Sequence, residues 1–171
     1  MPREDRRPAL VGHPAGTLAL SGDALLGLMK AVLDREVPFR FEARGTSMAP
    51  FIRDGDIVTV HPVGKRPLRK GDVVAFSEPM TDKLYVHRII GESGSRYAIK
   101  GDNLSAPDGL IPGANILGVV VKVEREGREV SLGVGRGRIL IADLSRIGAL
   151  PITARRAVGA FLRILRRRTT R

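Results

Sequence analysis

In the segment "SGDALLGLMKAVLDREV", Leu25, Leu26, Leu28, Met29, Val32 and Leu33 recur at three- and four-residue intervals. That spacing puts them on one stripe and predicts a helix. Ser21 or Asp23 can cap its start, and Pro38 lies beyond its end. After Pro38 the period shortens to two. "FRFEARG", "DIVTVHPV", "DVVAFSE", "LYVHRIIGE", "RYAIKGD", "ILGVVVKVERE" and "REVSLG" read as successive strands separated by Gly, Asp, Asn and Pro. "GLIPGAN" reads as a loop. From Arg138 the helical period returns in "RILIADLSRIGAL" and, after Pro151, in "ITARRAVGAFLRILRRR". There Val158, Phe161, Leu162 and Leu165 share one side, with arginines on much of the other. "GVGRGR" reads as a turn, because it lacks the strand-to-helix setting of a phosphate loop. The expected fold is mainly β: a twisted, mainly antiparallel core over residues 39–133, one helix before it and two after it. Residues 1–20, rich in Pro, Gly and charge, read as a flexible arm. Residues 21–134 form the expected core domain, and 135–171 a basic helical tail.

Composition adds a charge asymmetry. The 171 residues suit one domain with a buried core, and the absence of cysteine excludes disulfides and thiolate metal sites. The formal charge is +11, and residues 151–171 carry seven arginines and no acid. A tail of this kind fits an anionic membrane surface, nucleic acid or an acidic protein. No run of 18 apolar residues predicts a transmembrane helix, and the first 20 residues lack the apolar stretch of a signal peptide. The expected location is the cytoplasm. The basic tail either rests on the inner face of the membrane or packs on the β core with its arginines in water.

Candidate chemistry begins at "GTSMAPFIRDGD". A serine hydroxyl such as that of Ser47 is a weak nucleophile unless a base takes its proton. His13 lies in the arm, and His61 stands before Pro62 as a turn or surface residue. His87 sits inside a strand, where taken alone it reads as a packed residue. Three blocks in order change that reading: "GTSMAPFIRDGD", "KGDVVAF" with "YVHRIIGE", and "KGDNLSAPDG". Together, over about residues 39–124, they resemble the signal peptidase I superfamily of serine endopeptidases. The similarity is greatest to the Ser-His-Asp branch of the endoplasmic-reticulum enzyme and its archaeal and sporulating-bacterial relatives.

The resemblance implies that Ser47 is the nucleophile and that His87 is the general base, in the position where other members carry lysine. It implies Asp102 and Asp108 as the two acidic positions, with Asp108 favoured to orient the imidazole and Asp102 to support its loop. Both aspartates also read as ordinary turn residues. The Ser47 amide is the natural oxyanion donor, and Gly45 stands where members often carry serine, leaving Thr46 as a substitute. Met48 is expected to pack under the serine loop and Pro50 to fix its turn, while Asp54-Gly55-Asp56 makes a tight turn. No metal or cofactor is expected.

The implied substrate is a precursor or leader peptide with small residues beside the cut. The self-cleaving repressors of the SOS response are a second, more distant resemblance. They use a lysine base and an N-terminal helix-turn-helix, whereas this chain has His87 and one clear helix before the core. That argues against nucleic acid as the partner. A non-catalytic peptide-binding module and a self-processing regulator are the alternatives. In the lysine alternative, Lys70, Lys83 or Lys100 is the base, although all three read as solvated residues beside turns.

Overall fold

The computed structural model describes residues 20–64, 67–130 and 137–147. The arm before Leu20 and the helix expected after Pro151 lie outside these residues. Helix α1 spans Gly22–Leu33, and the Ser21 hydroxyl accepts from the Ala24 N–H at 3.4 Å. Leu26, Met29 and Leu33 are its buried face, as the stripe predicts.

Eight strands follow: β1 (Phe39–Glu42), β2 (Ile57–Pro62), β3 (Val73–Ser77), β4 (Leu84–Ser93), β5 (Arg96–Lys100), β6 (Gly109–Pro112), β7 (Ile116–Arg125) and β8 (Arg128–Glu129). Helix α2 spans Arg138–Arg146. Among the described residues every strand pairing is antiparallel, and the sheet order is β1-β2-β7-β3-β4-β5-β6, with β8 paired to β7. The mainly β, antiparallel expectation therefore describes the molecule.

One expectation is corrected. "GLIPGAN" is not wholly a loop, because Gly109–Pro112 pairs with β5 as an edge strand and only Gly113–Asn115 turns, as a short 3-10 helix. Pro112 is tolerated at this edge, where a missing N–H breaks no central ladder. His61, expected at a turn or the surface, lies within β2 and is exposed.

Strand β3 is buried on both faces. Val73 and Ala75 join a core with Met29, Leu33, Val58, Val60 and Val123 under α1. Val74 and Phe76 join a second core with Ile89, Ile99, Ile111 and Ile116. Period-two alternation thus feeds two cores from one strand. Strand β7 lies between β2 and β3, so it joins the N-terminal hairpin to the β3–β6 meander.

The tight turn at Asp54-Gly55-Asp56 carries more than turn chemistry. Asp56 is buried and accepts from Arg125 Nη2 at 2.6 Å, from Arg125 Nε at 2.8 Å and from the Arg53 N–H at 2.8 Å. Burial works against its charge, but the hydrogen bonds from Arg125 and Arg53 outweigh it and hold the carboxyl below its ordinary value of 3.8. A depressed carboxylate pKa stabilises the fold above that ordinary value, and the contribution disappears as pH falls through the folded-state pKa. Asp56→Asn is expected to destabilise the protein by about 2–3 kcal/mol at pH 7, since one partner of a largely buried pair is removed while Arg125 keeps some contact with water. Urea unfolding at pH 7 and again near pH 3 checks this. The gap between variant and wild type narrows at the lower pH, and an unchanged gap contradicts the assignment.

Candidate active site

Ser47 lies in the run of turns between β1 and β2, and His87 lies in β4. The His87 Nε2 is 2.9 Å from Ser47 Oγ, and its Nδ1 is 2.8 Å from Asp108 Oδ2. These distances allow a proton to pass between serine and imidazole while the carboxylate fixes the ring. The ring is buried, with Tyr85 stacked on it at 5.6 Å between centroids and Phe76 at 6.1 Å. Tyr85 escapes motif reading, although residues i and i+2 of a strand share a face, so "Y-V-H" carries the signal. Asp108 immediately precedes β6, and its N–H donates to the Ile99 carbonyl at 2.9 Å.

Asp102 takes a different place from Asp108. It is fully buried and accepts from Arg88 Nη2 at 2.7 Å and from Arg88 Nε at 2.9 Å. Arg88 also donates to the Gly71 carbonyl at 2.9 Å and lies over the Phe51 ring at 5.6 Å. The residue beside the histidine in sequence thus anchors the loop that holds the serine. The Asn103 N–H donates to the Ser47 carbonyl at 2.7 Å, and the Asn103 side chain donates to the Thr46 carbonyl at 3.2 Å. A Cβ on Gly101 would stand 2.9 Å from that same Ser47 oxygen, so glycine is what lets the two loops approach. Met48 is buried under the serine, and its sulfur accepts from the Asp102 N–H at 3.4 Å. The Gly45 N–H is engaged by Asp54 Oδ1 at 2.8 Å, which leaves the Ser47 amide and the Thr46 side chain as the nearby oxyanion candidates.

The lysines need a correction. Lys100 is not solvated. It is buried at the end of β5 and donates to the Ser145 carbonyl at 2.7 Å, near the C-terminal end of α2. Burial pushes its pKa down, against the pull of the Asp102 and Asp108 carboxylates. Lys70 pairs with Asp143. Lys83 alone of the three lines the cleft beside Ser47 and His87. That cleft has a volume of about 450 Å³, and its walls are mostly apolar, from Phe41, Met48, Ile52, Leu84 and Val86.

The family described as Peptidase S24-like matches residues 12–121 of the chain. Signal peptidase IB of Staphylococcus aureus strain COL is 39% identical over 66 residues, 37% of this chain and 34% of that relative. The signal peptidase IB of strain N315 is 38% identical over the same length and the same shares. The chain thus spans about a third of the length of these curated relatives.

Proposed function

The chain belongs to the Peptidase S24-like family, and on that premise we propose that it is a serine endopeptidase that cleaves a precursor or leader peptide. Ser47 Oγ attacks the scissile carbonyl as His87 Nε2 takes its proton. The imidazolium returns that proton to the leaving amine, and a water activated by the same ring releases the acyl group. Asp108 holds the ring in the required tautomer and stabilises its charged form. Asp102 serves the loop and not the ring. The observation that carries the reading is the line Ser47 Oγ, His87, Asp108, with successive contacts of 2.9 and 2.8 Å.

The backbone around the cleft supports a peptide as substrate. Among the described residues, strand β1 has β2 as its one neighbour in the sheet order, which leaves its outer edge open to a further strand. In β4, Leu84–His87 pairs with β3, whereas pairing with β5 begins only at Arg88. Two strand edges therefore flank the cleft, and an extended peptide between them gains main-chain hydrogen bonds independent of its sequence.

Among the described residues no helix is long and apolar enough to cross a membrane. The same proposal assigns the arginines after Pro151 to an anionic membrane surface, by charge and by the apolar positions between them.

Labelling with a fluorophosphonate tests the enzyme reading. Wild type is expected to take up one equivalent at Ser47, and Ser47→Ala none. A wild-type protein that resists the reagent, or a Ser47→Ala variant that still reacts, returns the chain to the peptide-binding alternative. Processing of the chain by itself on incubation favours the self-processing reading.

A further inference from the structure

Helix α1 carries none of the serine, the histidine and the aspartate, yet its first turn reaches their cleft. Gly22, Asp23 and Leu25 line the same cavity as Ser47 and His87. The helix is held there from behind. Leu26, Met29 and Leu33 are buried, and Lys30 Nζ lies 3.5 Å from Asp82 Oδ1 in the turn between β3 and β4. Its packing against β1, β4 and β7 places it over the strands that flank the cleft. Leu25 is half-buried against the core that contains Met48 and Ile52, so its position is fixed by packing.

We infer that the first turn of α1 is a wall of the substrate cleft and that Leu25 is a specificity-determining residue. This rests on the endopeptidase reading and adds to it. Phe41, Leu84 and Val86 line the same cavity. Where the lining is hydrocarbon, a charged side chain loses its water, whereas Asp23, Glu42, Arg44 and Lys83 supply the charged part of that lining. At Leu25 the wall therefore favours an apolar side chain of an extended peptide, and Leu25 limits that side chain's bulk. A methylene more or less in such a pocket changes relative reactivity by about 10–200-fold.

Gly22 supplies a direct steric probe. A Cβ there meets nothing within 4 Å, and so does one at Gly27 on the same helix. Gly27 is exposed and does not line the cavity. Leucine at either position suits a helix better than glycine, so both variants are expected to fold. Gly22→Leu projects hydrocarbon from the wall, and Gly27→Leu serves as the control.

Diisopropyl fluorophosphate and a series of peptidyl diphenyl phosphonates with Ala, Val, Leu or Phe next to phosphorus are the probes, with labelling rates at Ser47 as the readout. Each peptidyl rate is divided by the fluorophosphate rate of the same protein. Gly22→Leu is expected to lower this ratio by about tenfold or more, and Gly27→Leu to match wild type. Leu25→Ala is expected to raise the Phe-to-Ala preference by about tenfold. Wild type that reacts with neither reagent class overturns the serine reading and this inference with it. Wild type that labels normally, with ratios indifferent to both Gly22→Leu and Leu25→Ala, overturns this inference alone.

Discussion

His87→Ala is expected to lower kcat/KM for peptide cleavage by at least about 10³-fold, equivalent to about 4 kcal/mol of transition-state stabilisation. The Nε2 atom stands 2.9 Å from Ser47 Oγ, within reach of its proton. Ser47→Ala is expected to match that loss, and the double variant to lose little more, because two groups that act as one unit are not additive. The rival base is now a single residue. Lys70 is engaged with Asp143 and Lys100 with the Ser145 carbonyl, whereas Lys83 lines the cleft. Activity that survives His87→Ala but is abolished by Lys83→Ala would move the base to that lysine.

The second large effect separates the two aspartates. Asp102 and Arg88 are both fully buried and joined at 2.7 Å. Removing one charge strands the other without water, at a cost of about 3–5 kcal/mol. That is a large share of the about 5–15 kcal/mol by which small domains are stable. Asp102→Ala should therefore shift the denaturation midpoint sharply downward. Asp108 is 18% exposed and contacts the imidazole, so Asp108→Ala should leave the midpoint nearly in place while kcat falls. Paired urea melts and rate measurements on the two variants decide the matter. The opposite pattern, with stability lost at 108 and activity alone lost at 102, would exchange their roles.

Much of this architecture was readable because its strands alternate. "DIVTVHPV" and "LYVHRIIGE" carry their period in plain form, and both are strands over nearly the span read from sequence. Strand β6 was not readable. "GLIPGAN" has only four paired residues, bounded by Gly109 at φ +104° and broken by Pro112, and its strand character comes from β5 beside it. The same limit applies at the site. Two aspartates six residues apart were visible as acidic positions, but only the tertiary contact distinguishes the one at the ring from the one at Arg88. Lys100 beside "GDN" has the local signature of a turn lysine. Its burial depends on Ser145, and no local pattern can report a partner so far along the chain. Tyr85 was legible in principle, since a residue two positions from a strand histidine shares its face.

The place of β7 in the sheet has a consequence for the timing of synthesis. Ser47 belongs to the β1–β2 hairpin, His87 and Asp108 belong to the β3–β6 meander, and β7 is the strand that lies between those two groups. A ribosome delivers Ser47, His87 and Asp108 in that order, all before residues 116–125 exist. Until then the two pieces have no shared ladder, and the closure of so long a loop must await its last strand. On the endopeptidase proposal, a half-made copy is therefore unarmed until the sheet is joined.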